Sequence, residues 1–278
     1  MPELPDLVII KERLVPQLLN QKIRSVEIVD PVVVRNLTGG VLDDFYNNLS
    51  FLKIERNGPF LDFSFEKMNI VIHPMLSGKF SLDPKYKKKD LCVRILTDGP
   101  TLNYIDDTRM GKVYFLKPDE LGRISKYKEQ GLDLLSEEFT EAAFLKTMEK
   151  NRQQTRVFLM DQSKLSALGN AYADEVLFAA HIHPKTPCNQ LSQKEKSLLY
   201  KSIKEVLFSS IEYIRNKNAP LDVKVRDHVK VRNRKNEPCP NCGTTIRRAN
   251  VLGYDSFFCP SCQPAKGQQF INWNRSDS

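Results

Sequence analysis

The sequence predicts an α+β multidomain protein with an N-terminal β-sandwich preceded by a helix, a helical domain, and a C-terminal β-hairpin that carries cysteines. Three observations predict this fold class. Short apolar runs separated by turn residues follow one another between residues 22 and 115, as in a sandwich of short strands. From residue 140 to residue 214 the apolar residues recur mostly at helical spacing. Near the C-terminus, two Cys-x-x-Cys pairs are separated by sixteen residues.

The N-terminal domain begins with a helix predicted over residues 5–19, where apolar residues recur at helical spacing. These residues are Leu7, Ile10, Leu14 and Leu18. Pro16 is expected to kink this helix or to end it early, because its ring removes a backbone donor. Strands are then predicted over residues 22–28, 51–56, 60–65, 70–73, 79–82, 91–96, 101–105 and 112–115.

Helices dominate the next part of the chain. They are predicted over residues 141–150, 155–160, 171–179 and 193–214. Ser192 and Glu195 form a capping box for the last of them. The expected domains are residues 1–120 for the β-sandwich, 121–235 for the helical domain and 236–278 for the cysteine-bearing module with its tail.

The composition and the N-terminal sequence argue against a membrane-spanning or secreted protein. With 41% hydrophobic and 27% charged residues the chain is typical of a soluble globular protein. No apolar run approaches the roughly 18 residues of a membrane span, and Glu3 and Asp6 precede any hydrophobic run, unlike a signal peptide. We therefore expect a cytoplasmic, nucleoid-associated protein that does not bind membranes.

The basic residues indicate a polyanionic partner. The net charge is +8, and Lys85, Lys87, Lys88 and Lys89 cluster in one loop. Residues 224–235 hold six Lys or Arg, and Arg247-Arg248 continue this basic tract. Nucleic acid is the leading partner, and a solvated basic face is the alternative.

Four cysteines predict one structural zinc ion. Each Cys-x-x-Cys pair places two thiolates on one tight turn, and a hairpin of the observed length can return the chain to complete a tetrahedral site. Four protein ligands would leave no open position for catalysis. A redox pair is the alternative, but it does not explain two matched turns. The predicted ligands are Cys239, Cys242, Cys259 and Cys262; Cys92 and Cys188 are interpreted as structural positions.

Pro2 is a candidate nucleophile. After removal of Met1 it becomes a secondary amine whose pKa near ~8 leaves a useful neutral fraction at pH 7. Attack of such an amine on an aldehyde-like carbon gives a charged iminium, which is a good electron sink. Glu3 places a carboxylate beside that amine. The alternative is an ordinary Met-Pro start without a catalytic role.

A second candidate site lies at Gly169-Asn170, before a predicted helix. The free N–H groups at a helix N-terminus can bind a phosphate. Asn170 can cap the helix and also donate to a phosphate oxygen. A simple N-cap is the alternative.

Taken in order, these motifs resemble the formamidopyrimidine-DNA glycosylase and endonuclease VIII family of base-excision enzymes. The resemblance is carried by residues 1–5, 168–175, 237–263, 73–78 and 107–111, and it covers nearly the whole chain. It implies a helix–two-turn–helix fold for the helical domain and a zinc finger at the C-terminus. The implied partner is damaged double-stranded DNA, and the implied state is a monomer.

The resemblance also implies a mechanism and its residues. Pro2 would attack C1′ of a nucleotide flipped out of the duplex, and Glu3 would assist ring opening before β- and δ-elimination cut the strand. Asn170 would hold a phosphate, and Arg109 would enter the minor groove opposite the lesion. The family comparison further implies that Leu76 and Met110 are wedges that fill the emptied base stack.

Two departures from the family pattern concern residues that assist catalysis. Pro59 stands where the family usually has a lysine that donates a proton and contacts phosphate. Lys53 and Lys79 are nearby in the sequence and are the candidates to replace it. At the tip of the finger, Tyr254 stands where the family usually has an arginine on the lesion phosphates.

Other differences are milder. Arg247 or Arg248 is expected to compensate for the missing arginine, Arg156 replaces a lysine and keeps the phosphate-binding charge, and Asp6 replaces a glutamate. The segment before the finger that would cap the lesion, residues 216–229, is short and basic.

The sequence therefore predicts a DNA glycosylase with AP-lyase activity. The alternative is a protein of the same fold that binds lesions or abasic sites without efficient base excision. The identity of the damaged base is not determined by the sequence.

Overall fold

The computed structural model describes residues 2–87 and 89–266. The chain forms two compact units. The first holds the residues up to Ser136 together with Gln162–Gly169 and Leu207–His228. The second holds Glu137–Asp161, Asn170–Val206 and the described residues from Val229 onward. The division into three consecutive domains stays a prediction.

The first helix, α1, spans Leu4–Leu18 and confirms the predicted helix. Its buried face contains Leu7, Ile10, Leu14 and Leu18. Pro16 lies inside the last turn, and the helix ends soon after it. Glu3 is the N-cap residue, and its backbone N–H donates to the Asp6 carboxylate over 2.8 Å. This capping box fixes the backbone beside Pro2.

Two sheets form the β-sandwich of the first unit. One has four strands in the order β1-β7-β8-β6, and the other has five in the order β2-β9-β5-β4-β3. Neighbours pair antiparallel, except β2 and β9, which pair parallel. The strands are β1 Ile23–Ile28, β2 Val34–Asn36, β3 Lys53–Asn57, β4 Phe60–Ser64, β5 Asn69–His73, β6 Lys79–Ser81, β7 Leu91–Thr97, β8 Leu102–Ile105 and β9 Lys112–Leu116.

All eight predicted strands are confirmed to within two residues at each end. The sequence did not predict β2 or the short helix α2, Leu42–Tyr46. Both are too short to show a period. Also in the first unit, a parallel pair joins β10, Leu132–Asp133, to β11, Leu165–Ser166. This pair brings residues 162–169 back to the sandwich unit.

The second unit is mainly helical. Its helices are α3 Glu141–Met148, α4 Thr155–Met160, α5 Asn170–Ala179 and the first part of α6, Gln193–Lys217. These elements confirm the predicted helices. The predicted capping box at the start of α6 is also confirmed, since the Ser192 N–H donates to Glu195 Oε2 over 2.8 Å. The aromatic core of this unit includes Phe144, Phe158 and Tyr172, which are fully buried.

The second unit also contains a β-hairpin of β12, Arg247–Val251, and β13, Tyr254–Phe258. Leu252 and Gly253 form its loop with φ angles of 49° and 86°. Two successive positive φ values are the signature of a type I′ turn, which suits the twist of a tight hairpin. Among the described residues, no helix has the length and apolar character needed to cross a membrane.

Candidate active site

A cavity of about 300 Å³ lies beside the N-terminus of the first unit. Pro2 is part of its wall, together with Ile9 and Ile10 of α1. Residues 76–79 and residues 219–225 form the remaining sides, with Ile214. The walls are mainly apolar, but charged groups are also present. The structure therefore places the predicted nucleophile on a cavity.

The backbone around Pro2 is held at several points. The Leu4 N–H donates to the Ala167 carbonyl oxygen over 2.9 Å. Asp6, which caps α1, also accepts a hydrogen bond of 2.7 Å from the Arg226 guanidinium. Since the Asp6 side chain is mostly buried in this ion pair, the pair links the start of α1 to the chain just beyond the cavity wall. No pattern in the sequence indicated Arg226 as the partner of Asp6.

Glu3 is buried next to Pro2. Its residue exposure is 4%, and its Oε2 accepts a hydrogen bond of 3.2 Å from the Gly169 N–H. A Cβ at position 169 would lie 2.6 Å from Glu3 Cδ, so only glycine permits this approach. Gly169 is thus required by the Glu3 carboxylate, a role that differs from the phosphate-binding turn predicted there.

The segment that carries Gly169 is organised by Gln162. The Gln162 amide donates to the Leu168 carbonyl over 2.8 Å and accepts from the Ala167 N–H over 2.7 Å. Ala167 has φ of +62°, which side-chain-bearing residues seldom adopt. The side chain of Gln162 therefore stabilises an unfavourable backbone directly under Leu4. Sequence reasoning missed this residue.

His73 shapes the loop that carries Leu76. Burial, together with the nearby Lys112 ammonium, lowers the pKa of His73 to about 4, so the imidazole is neutral at pH 7. Its Nδ1 can then accept the Met75 N–H over 3.0 Å. Met75 has φ of +46°. This hydrogen bond sets the turn that exposes Leu76.

Asp106 ties that loop to the loop that carries Met110. The buried Asp106 carboxylate accepts hydrogen bonds from the Ser77 hydroxyl and from the Gly111 N–H, the latter over 2.6 Å. Leu76 is 50% exposed and Met110 is 46% exposed. Two exposed apolar side chains thus stand on one braced pair of loops, as wedge residues require.

Arg109 lies in the same region but is folded back onto the protein. Its Nε donates to Asp30 over 2.7 Å, and its Nη2 donates to the Lys89 carbonyl oxygen over 2.6 Å. The hydrogen bond from Arg109 lowers the pKa of Asp30, and the Val32 N–H adds to this effect. The expected minor-groove position would require this ion pair to break.

Arg156 of the second unit is fully buried, unlike a surface phosphate contact. Its Nε pairs with Asp174 over 3.0 Å, and its Nη2 donates to Asn170 Oδ1 over 2.8 Å. The physical reason is the buried Asp174 carboxylate, which needs a cation in the interior. This pairing turns the Asn170 amide oxygen toward Arg156 and leaves the amide nitrogen as the donor. Asn170 is the first helical residue of α5, where the sequence predicted a cap.

Asp174 is the centre of the second unit's polar network. Besides Arg156, it accepts from Arg232 over 2.8 Å, from the Ser256 hydroxyl over 2.7 Å and from the Phe257 N–H over 3.2 Å. One buried carboxylate on α5 therefore fastens the hairpin. No local pattern in the sequence distinguishes Asp174 from a surface acid.

The hairpin carries the remaining residues that were predicted to contact DNA. Tyr254 is 54% exposed, and Arg247 and Arg248 are exposed on β12. Arg248 lies 3.2 Å from the Asp255 carboxylate. Arg247 is thus exposed to a polyanion, Arg248 would have to share or leave Asp255 to contact one, and the tip itself presents the aromatic ring and hydroxyl of Tyr254.

The comparisons with known proteins agree along nearly the whole chain. The formamidopyrimidine-DNA glycosylase N-terminal domain matches residues 1–113, the H2TH domain of the same enzyme matches residues 130–218, and the zinc finger found in FPG and IleRS matches residues 236–265. The formamidopyrimidine-DNA glycosylase of Bacillus subtilis is 32% identical over 280 residues, which cover 96% of this chain and 100% of that protein. The chain belongs to the formamidopyrimidine-DNA glycosylase family.

Solved structures of the family agree with the fold. The complex of the Lactococcus lactis Fpg with DNA containing an abasic site has a TM-score of 0.85 and 27% identity, covering 95% of this chain and 100% of that one. MutM (Fpg) from Thermus thermophilus has a TM-score of 0.84 and 29% identity, covering 96% of this chain and 100% of that one. The predicted family and fold class, including the helix–two-turn–helix domain and the zinc finger, are confirmed.

The cysteine geometry fits the zinc finger of this family. The four sulfur atoms lie within 4.8 Å of one another, and the Cys242–Cys259 and Cys239–Cys262 sulfur distances are 3.5 and 3.9 Å. A tetrahedral zinc site with Zn–S bonds of about 2.3 Å places its sulfurs about 3.8 Å apart. The four cysteines thus suit one structural zinc ion. When bound, it would hold the base of the hairpin and leave no position open for substrate.

Replacement of Gly169 by alanine tests the contact with Glu3. Because the new Cβ would displace the Glu3 carboxylate, we expect strand cleavage at an abasic site to fall about 100-fold, the scale of an active-site displacement of about 1 Å. The melting temperature of each variant is measured in parallel, so that cleavage is compared between folded proteins. Gly122→Ala is the control, because its Cβ would have 3.4 Å to the nearest atom. Equal cleavage by both variants would contradict this role.

Replacement of Cys259 by serine tests the metal site. Loss of one of four thiolates should reduce bound zinc well below one equivalent and weaken duplex binding, because the hairpin depends on the metal. Metal content measured by mass spectrometry and binding measured by fluorescence anisotropy check this. Ser261→Ala, in the same turn, should keep its zinc. A Cys259→Ser protein with one full equivalent of zinc would show that the ligand set is wrong.

Proposed function

We propose that the protein is a DNA glycosylase with AP-lyase activity on damaged double-stranded DNA, and that Pro2 is its nucleophile. Membership of the formamidopyrimidine-DNA glycosylase family supports the reaction class. The observation that carries the assignment to this chain is that Pro2 lines a cavity of about 300 Å³, while the next residue, Glu3, is buried with its carboxylate on the Gly169 N–H. A nucleophile needs such a fixed position next to the space that its substrate enters.

The proposed reaction begins after Met1 is removed. The Pro2 nitrogen attacks C1′ of a flipped-out nucleotide, a bond forms between them, and the bond from C1′ to the base breaks. The apolar part of the cavity wall lowers the local polarity, which strengthens electrostatic interactions beside it. The mainly apolar lining also suits a planar base.

Glu3 is proposed to transfer a proton to the deoxyribose. Its carboxylate relays the proton released by the Pro2 nitrogen to O4′ as the C1′–O4′ bond breaks, which leaves an iminium between Pro2 and C1′. The iminium makes the C2′ protons acidic, so β-elimination expels the 3′ phosphate, and δ-elimination then expels the 5′ phosphate. The hydrogen bond to the Gly169 N–H holds the Glu3 carboxylate in place for this transfer.

The proposed DNA contacts follow the polarity of each residue. The Asn170 amide nitrogen binds a phosphate, since its oxygen is occupied by Arg156. Leu76 and Met110 occupy the gap that the flipped base leaves. Arg109 breaks its ion pair with Asp30 and enters the minor groove. Arg156 acts through Asn170 as a positioning residue. Arg247, Arg248 and Tyr254 contact the backbone from the hairpin.

We further propose a monomer that is associated with the nucleoid in the cytoplasm. The cysteine cluster and the exposed arginines of the hairpin support the DNA partner. Pro59 and Tyr254, which stand where the family usually has a lysine and an arginine, favour a second candidate function. In that case the protein binds lesions or abasic sites without efficient base excision.

Borohydride trapping on a duplex with one abasic site separates the two functions. Reduction of the iminium locks the protein onto the DNA, so the wild-type protein should give a covalent band of slow mobility. Pro2→Gly offers a primary amine, whose imine need not be charged and is a weaker electron sink. We expect its trapped fraction to fall at least about 10-fold, within the range of covalent and acid–base contributions to catalysis.

Pro100→Gly, a change of the same kind in the turn between β7 and β8, is the matched control and should trap like the wild type. Binding of all three proteins is measured in parallel without borohydride. Normal duplex binding with no covalent band for the wild type would exclude the lyase and favour the binding function.

A further inference from the structure

Three residues with cationic side chains line the cavity beside Pro2: Arg13, Lys79 and Lys224. Arg13 donates to the Ala219 carbonyl oxygen, and a guanidinium keeps its proton at all relevant pH values. Lys224 is exposed on the irregular segment that follows α6. Lys79 is half-buried and begins strand β6. Only Lys79 combines a transferable proton with a rigid place in the wall.

The position of Lys79 is fixed by its neighbours. It pairs with Ile105 across the sheet, and the preceding Gly78 N–H donates to the Pro74 carbonyl oxygen over 2.8 Å. A Cβ at Gly78 would lie 2.5 Å from that same oxygen, so the backbone before Lys79 is tightly enclosed. The backbone position from which the Lys79 side chain extends is therefore fixed, as is the backbone beside Pro2.

Within residues 2–87 and 89–266, the Lys79 ammonium forms no close ion pair, although a hydrogen bond from Ser77 and the positive charge of Lys79 lower the pKa of the exposed Asp107 carboxylate. The other lysine considered from the sequence, Lys53, is 66% exposed, lies 3.6 Å from Glu55 and is absent from the cavity wall. Asp6 is held by Arg226, and Glu3 is held by Gly169. Of the two lysines in the cavity wall, Lys79 is the one held by a strand, and it is thus the better placed to give a proton to a base in the cavity.

We propose that Lys79 is the general acid for departure of the base, and this inference rests on the proposed function. As the Pro2 nitrogen bonds to C1′, the electron pair of the bond from C1′ to the base moves onto the base. The Lys79 ammonium gives that base its proton and becomes a neutral amine, which solvent reprotonates. The proton released by the Pro2 nitrogen goes separately through Glu3 to O4′. Lys79 thereby supplies the proton that Pro59 cannot donate.

Lys79→Met and Lys79→Arg test this role. Two reactions are measured: release of the base from duplexes carrying a single oxidised purine or oxidised pyrimidine, and strand cleavage of a duplex with a preformed abasic site. Only the first has a leaving base to protonate. We expect both variants to lose base release about 100-fold or more, the usual contribution of a general acid. Their cleavage of the abasic duplex should fall less than about 10-fold, so that the two activities separate.

Lys53→Met is the matched control and should keep both activities, and circular dichroism monitors the fold of each variant. Arginine keeps the positive charge of Lys79 but does not give up its proton, so Lys79→Arg separates proton transfer from charge. Base release restored in Lys79→Arg would overturn the proposal, as would equal loss of both activities in the variants or no loss in either.

The results for the wild-type protein distinguish a failure of the Lys79 proposal from a failure of the proposed function. A wild type that cleaves the abasic duplex but releases no base from any lesion would overturn the role of Lys79 and leave the lyase intact. A wild type that gives neither cleavage nor a trapped adduct would instead overturn the proposed function.

Discussion

The approach of the Glu3 carboxylate to the Gly169 N–H is the contact on which the rest of the site depends. It buries a carboxylate beside Pro2, and it requires a residue without a Cβ at position 169. The neighbouring hydrogen bond joins the Leu4 N–H to the carbonyl oxygen of Ala167, a left-handed residue that Gln162 supports. The segment 162–169 thus holds the N-terminus of α1 at two points. A nucleophile on a frayed terminus would lose most of its advantage.

Buried carboxylates organise the other candidate regions as well. Asp106 braces the two loops that expose Leu76 and Met110, and Asp174 fastens the hairpin to α5 while it recruits Arg156. In each case a buried acid accepts several hydrogen bonds, which offsets its loss of hydration. The exposed groups that would meet DNA are therefore attached to rigid polar centres.

Local patterns in the sequence predicted the longer helices and strands, the family and the cysteine cluster, but not the short elements β2 and α2. The strands between residues 22 and 116, the helices and the paired Cys-x-x-Cys turns all have short-range periods or spacings. The buried ion pairs and hydrogen bonds could not be predicted, because their partners are far apart in the sequence. Arg226 pairs with Asp6, and the Ser256 hydroxyl donates to Asp174. The same limit explains Arg109 and Arg156: their charge was visible in the sequence, but their acidic partners were not. Lys79 could be chosen over Lys53 only when the cavity wall was known.

The central claim is that the Pro2 nitrogen forms the covalent bond to DNA. Proteolysis of the borohydride-reduced adduct, followed by tandem mass spectrometry, locates that bond directly. We expect the deoxyribose fragment on the nitrogen of Pro2, in a peptide that lacks Met1. A fragment attached instead to a lysine side chain, with an unmodified N-terminal peptide, would contradict that claim.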